Sequence, residues 1–108
     1  MIAEIEAKTI EILSQYPIKR AAFFGSVARG DMTENSDVDV LVEFLPDAPV
    51  LDFFGLYVDL KEGLERSVDL ITYFGLAQAK HGLKEIIENE INGVFARRAE
   101  KSQLGEVK

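Results

Sequence analysis

The sequence predicts one α/β (α+β) domain, a small sheet of three or so strands with helices packed on it. Apolar residues recur with a helical period over residues 2–15, 51–65 and 83–95. Between these stretches lie short apolar runs at 18–24, 38–44 and 68–73, which read as strands. The 108 residues, 47% hydrophobic and 29% charged, suffice for one modest core and not for two. Three strands are too few for a full doubly wound fold.

The first helix carries Ile2, Ile5, Thr9, Ile12 and Leu13 on one stripe, with Glu4, Glu6, Lys8 and Glu11 elsewhere. Pro17 ends it, because the residue before a proline avoids helical backbone. Ile18 to Phe24 forms a strand stopped by Gly25. The polar stretch from Ser26 to Asn35 fits one or two helical turns and a loop. Val38, Val40, Val42 and Phe44 then alternate with Asp37, Asp39, Leu41 and Glu43, as in a strand with two distinct faces.

Pro46 to Pro49 is a turn or loop. The helix over 51–65 places Phe53, Tyr57, Leu60 and Leu64 on a core stripe, with Phe54 and Val58 beside it. Val68 to Tyr73 is a short strand. Leu83, Ile86, Ile87, Ile91, Val94 and Phe95 form the face of a last helix. One domain over residues 1–96 is therefore expected, followed by a polar, frayed tail over 97–108.

Composition excludes several functions. The formal net charge of −7 repels a phosphate backbone, so duplex nucleic acid is not an expected partner. With no cysteine, thiol catalysis, disulfides and thiolate-held metals are excluded. The start Met1-Ile2-Ala3-Glu4 lacks a secretion pattern, and no run approaches the roughly 18 apolar residues of a membrane span. A cytoplasmic domain without membrane contact is the expectation.

The chemistry concentrates in Phe24-Gly25-Ser26-Val27-Ala28-Arg29-Gly30-Asp31 and in Ser36-Asp37-Val38-Asp39. Asp37 and Asp39, two apart on a strand, project from one face. Adjacent carboxylates repel unless a cation lies between them, and hard oxygen ligands suit Mg2+ or Mn2+. An isolated Asp-x-Asp more often marks the solvated face of an edge strand. Gly25-Ser26 changes that balance, because a glycine at a strand end lets backbone approach a phosphate. Alone, the pair would be a simple turn with a serine cap. It is neither a P-loop nor a dinucleotide fingerprint. Asp69, inside the apolar run 68–73, is a third carboxylate; if its strand neighbours that of Asp39, three converge.

Gly25-Ser26, ten residues, then Asp37-x-Asp39 resembles the signature of the polymerase-beta-like nucleotidyltransferases. Ala28, Arg29, Gly30, Ser36 and Val42 extend the resemblance to the minimal nucleotidyltransferase (MNT) subfamily over residues 2–95, although Val27 stands where many members are basic. The resemblance implies the small mixed sheet of that fold. It implies that Gly25 and Ser26 hold the β- and γ-phosphates of ATP, while Asp37 and Asp39 ligate Mg2+. Asp69 would complete the metal site and help deprotonate the attacking hydroxyl. Arg29 is either a phosphate contact or a surface residue closing the short helix, and Ser36 caps or orients the aspartate strand rather than touching substrate. Members of this subfamily are often the antitoxin of a HEPN–MNT toxin–antitoxin pair, adding AMP to a hydroxyl, usually a tyrosine, of the toxin.

Two other functions compete with this one. A non-catalytic acidic module could neutralise a basic partner, with the aspartates merely structural. A sugar-nucleotide glycosyltransferase also uses Asp-x-Asp, but the chain is short for one. His81 reads as exposed, and Phe23, Phe24, Phe53 and Phe54 as core. Tyr57 and Tyr73 read as packing residues or base-stacking partners, and Arg97, Arg98 and Lys101 as a solvated end. The apolar helices leave a homo-oligomer open.

Overall fold

The computed structural model describes residues 1–78 and, as backbone, strand 92–96. The elements run α1 (Ile2–Leu13), β1 (Ile18–Phe24), α2 (Gly25–Arg29), β2 (Val38–Phe44), α3 (Leu51–Leu64), β3 (Val68–Thr72), α4 (Tyr73–Ala77) and β4 (Asn92–Ala96). One mixed sheet orders them β3-β2-β1-β4. β1 pairs antiparallel with β2 and with β4, whereas β2 and β3 are parallel, with α3 as the connection between them.

Two departures from the sequence expectations stand out. Residues 92–96 are a strand, not the end of a helix. Gly93 disfavours a helix while Val94 and Phe95 favour an extended chain, and the hydrogen-bonding edge of β1 supplies a partner no local pattern reveals. The sheet therefore has four strands, one beyond the three that the sequence pattern located. The remainder of the expected last helix, His81 and the tail lie outside the described residues. The second departure is α4, a five-residue helix that starts at Tyr73, where the expected strand had not yet ended. Thr72 caps it, its Oγ1 accepting from the Gly75 amide at 2.9 Å.

Alternation along β2 builds two layers. Val38, Val40 and Val42 join Ile18, Ala21 and Phe23 of β1 in the main core, closed by Ile5, Ile12 and Leu13 of α1 and Leu56 and Leu60 of α3. Each fully buried Val, Leu, Ile or Phe among them contributes about 1.5–3 kcal/mol. Leu41 points to the opposite face, where it packs with Phe24 and with Leu76 of α4. The register irregularity between Ile18 and Arg20 lets both Ile18 and Ala21 reach the main core.

The α3 stripe differs from the expected one. Leu56 and Leu60 are its buried residues, Phe53, Tyr57 and Leu64 are half-buried, and Phe54 and Val58 are exposed. Apolar residues surround most of this helix, so period alone does not choose its inner side.

Candidate active site

The chain leaves β1 through a residue only glycine tolerates. Gly25 has φ +68° and is buried, and a Cβ built on it would collide with the Asp39 carboxylate. A left-handed conformation costs an L-residue roughly 1–2 kcal/mol. The sheet brings these residues together: Phe24, the last residue of β1, faces Asp39 in the antiparallel register. Gly25 is also the first residue of α2, whose cap is Phe24 with no side-chain bond, so Ser26 lies inside the helix rather than capping it.

The parallel pairing of β2 with β3 sets Asp39 beside Asp69 as register partners, hence on one face about 4.8 Å apart along the sheet. β2 is an interior strand, so the Asp39 carboxylate is not on a solvated sheet edge. β3 is the edge, and Asp69 is exposed. Asp37 stands one residue before β2 and is exposed, so the strand pleat does not fix its direction as the sequence reading expected.

Among the described residues no group of three or more His, Cys, Asp or Glu is drawn close enough to hold a metal. The donors nevertheless fit Mg2+, which takes one or two carboxylates and completes its shell with water and phosphate oxygens. Asp39 and Asp69 provide that pair, and the bare α-carbon of Gly25 makes room for the Asp39 carboxylate beside it.

The loop before Asp37 is self-bonded. The Thr33 amide donates to Ser36 Oγ at 2.9 Å, and the Ser36 amide donates to the Thr33 carbonyl at 3.1 Å. The Ser36 hydroxyl is thus engaged in the turn. Arg29 is exposed, its Nε donating to Asp31 Oδ2 at 3.1 Å next to the α2 cap Gly30. A residue the sequence reading missed is Arg66, which binds this same loop from the root of β3. Its only sequence signal was a place in the Glu65-Arg66-Ser67 turn.

At the far end of β2 and β3, a groove of about 570 Å3 is lined by Arg20, Glu43, Tyr73 and Phe74 among others. The Arg20 guanidinium stacks 3.8 Å from the Tyr73 ring centroid while its Nε donates to Glu43 at 2.7 Å. Burial raises the Tyr73 hydroxyl pKa. One ring face of Tyr73 is therefore taken by a cation, and Tyr57 packs against the main core.

Residues 6–94 match the nucleotidyltransferase domain family. The chain belongs to that family. As a nucleotidyltransferase it acts on a nucleotide substrate, and relatives refine the picture. A Methanocaldococcus jannaschii protein provisionally named protein adenylyltransferase MJ0435 is 43% identical over 89 residues, 82% of this chain and 92% of the relative. A crystal structure of a toxin–antitoxin complex with AMP-PNP superimposes with TM-score 0.66 at 21% identity, over 94% of this chain and 81% of that one. A tri-AMPylated Shewanella oneidensis HEPN toxin in complex with its MNT antitoxin gives 0.63 at 18% identity, over 94% and 78%. At those identities the two structures establish the fold alone. No described helix of this nucleotidyltransferase is long and apolar enough to cross a membrane.

Proposed function

We propose that this nucleotidyltransferase is a protein adenylyltransferase that moves AMP from ATP to a hydroxyl of a partner protein, a tyrosine of a HEPN-type toxin, and so acts as an antitoxin in the cytoplasm. The observation that carries the reading is the meeting of Gly25, Asp39 and Asp69 at one end of the sheet. The relative named for adenylyl transfer and the AMPylated toxin held by an MNT antitoxin support the donor and the acceptor.

In this mechanism Gly25 and Ser26, in the turn from β1 into α2, hold the β- and γ-phosphates. Asp39 and Asp69 supply the paired carboxylate oxygens that would hold Mg2+, and Asp37, one residue before β2, would join them as the third ligand. When bound, the metal neutralises phosphate charge and lowers the pKa of the attacking hydroxyl. Asp69, on the edge strand, accepts the proton of the acceptor hydroxyl. The hydroxyl oxygen bonds to the α-phosphorus, the bond from that phosphorus to the bridging oxygen breaks, and pyrophosphate leaves with the electron pair.

The test is incubation of the protein with Mg2+, ATP labelled on the α-phosphate and its HEPN-type neighbour. Label on a toxin tyrosine, lost in Asp39→Ala, is the expected result. An unlabelled toxin that is still neutralised by Asp39→Ala would replace this reading with that of a non-catalytic acidic module.

A further inference from the structure

We propose that Arg66 is a positioning residue for nucleotidyl transfer, holding the loop that delivers Asp37 to the metal site; this rests on the proposed roles of Asp37 and Asp39. Arg66 Nη1 donates to three backbone carbonyls of one loop: Thr33 at 3.0 Å, Glu34 at 3.2 Å and Ser36 at 3.1 Å. That nitrogen has two hydrogens, so one of them is shared between acceptors. Residues 33–36 thus wrap around one guanidinium with their carbonyls turned inward.

The Ser36 carbonyl is the decisive contact. A peptide unit is planar, so fixing the Ser36 oxygen also fixes the Asp37 nitrogen and the direction in which its Cα leaves. One residue later the Val38 amide donates to the Ser67 carbonyl at 3.0 Å, adjoining the first rung between β2 and β3. Asp37 lies between these two ties, both anchored at residues 66 and 67. The backbone is shaped to place Arg66 there. Glu65, the cap of α3, adopts φ 55° and ψ 42°, a left-handed conformation that turns the chain out of the helix. The second guanidinium nitrogen donates to Met1 Sδ at 3.1 Å. A guanidinium presents these donors in a rigid fork, which an ammonium at the same place does not reproduce.

One side chain therefore couples the Asp37 loop to the strand carrying Asp69, three residues beyond Arg66. Releasing it leaves the nucleotide cradle at Gly25 and Ser26 intact and frees the carboxylate.

The experiment compares wild type, Arg66→Ala and Arg66→Lys. Mn2+ binding is followed by electron paramagnetic resonance in the presence of AMP-PNP, and backbone amide exchange is measured over residues 31–38. Steady-state adenylylation is measured as well. For Arg66→Ala, Mn2+ affinity is expected to fall about tenfold, as for loss of a group that orients a metal ligand. Exchange over residues 33–37 rises, kcat falls about tenfold or more, and KM for ATP stays within about twofold. Arg66→Lys retains part of the carbonyl contact and falls between. Wild-type Mn2+ affinity and loop exchange in both variants would overturn the proposal. So would a loss that merely follows the unfolded fraction, or one confined to KM for ATP. If Arg66→Ala does not fold, Arg66→Lys alone decides, through loop exchange and Mn2+ affinity measured against its melting temperature. A wild type that binds Mn2+ yet transfers no AMP refutes the transferase reading and leaves these two readouts to judge Arg66.

Discussion

The Asp39 carboxylate lies against the α-carbon of Gly25, across the point where β1 ends and β2 begins. A methyl group at residue 25 would occupy space the carboxylate already fills, on a backbone whose φ of +68° disfavours any side chain. Gly25→Ala should therefore lower stability by about 1–2 kcal/mol from backbone strain alone. It should also displace Asp39 and reduce nucleotidyl transfer about 100-fold. Urea unfolding and labelled AMP transfer, measured on the same preparation, check both effects; unchanged transfer would separate the close approach from the reaction.

Asp69→Asn is expected to behave differently. Asp69 is exposed on an edge strand, so its neutral isostere should change stability by no more than about 0.5 kcal/mol. Transfer should still fall about 100-fold or more, as expected on removing a proton acceptor. Normal melting with normal transfer would return Asp69 to the bland role of an edge residue facing water.

Tyr16, in the turn after α1, reaches α3 by donating its hydroxyl hydrogen to Asp59. Burial, followed by that hydrogen bond, pushes its pKa from 10.0 up to about 12. The fold thus favours the neutral phenol. Its contribution is complete below the ordinary value of 10.0 and is lost as pH rises toward about 12. Tyr16→Phe should flatten the fall of the unfolding midpoint across that interval. Tyr73 is present in both proteins, so the difference between them isolates Tyr16. Equal alkaline slopes would show that burial and the Asp59 bond do not hold Tyr16 neutral in solution.

Two phenylalanines that read alike in the sequence should part company on truncation. Phe23 is fully buried in the main core, and Phe23→Ala should cost about 3–5 kcal/mol. Phe54 is 58% exposed and meets Phe53 edge to face at 5.6 Å, so Phe54→Ala should cost less than about 1.5 kcal/mol. Chemical denaturation of the two variants ranks them directly.

These contrasts show where the sequence was legible. The strand Ile18–Phe24 has the expected bounds, and α3 ends within one residue of its expected limit. Local alternation and periodicity were sufficient there. They were insufficient for the inner side of α3, where Phe53, Phe54, Leu56, Tyr57, Val58 and Leu60 leave little polar face to mark the outside. They also missed β4, whose pairing with β1 joins residues about 70 apart in the chain. Thr72 and Gly75 carried a capping signal for α4, hidden because the strand pattern runs on into Tyr73.

At the site, spacing singled out Gly25, Asp37 and Asp39, an apolar run around a lone carboxylate singled out Asp69, and the strand register then made neighbours of Asp39 and Asp69. The positive φ at Gly25 and the three carbonyls gathered by Arg66 are properties of backbone conformation, which residue types alone do not specify. Asp37 shows the reverse limit: the alternation is correct, but the strand begins one residue too late to govern it.

The alternation of β2 has a consequence for how this protein tolerates insertions and deletions. Val38, Val40 and Val42 are completely buried on one face, while Asp39 takes the other. Sliding the strand by one residue would drive Asp39 into the apolar layer and expel all three valines. A single-residue insertion or deletion within β2 should thus be rejected as misfolded protein before it could accumulate as a folded but inactive enzyme. The packing that stabilises the sheet also proofreads the position of its carboxylate.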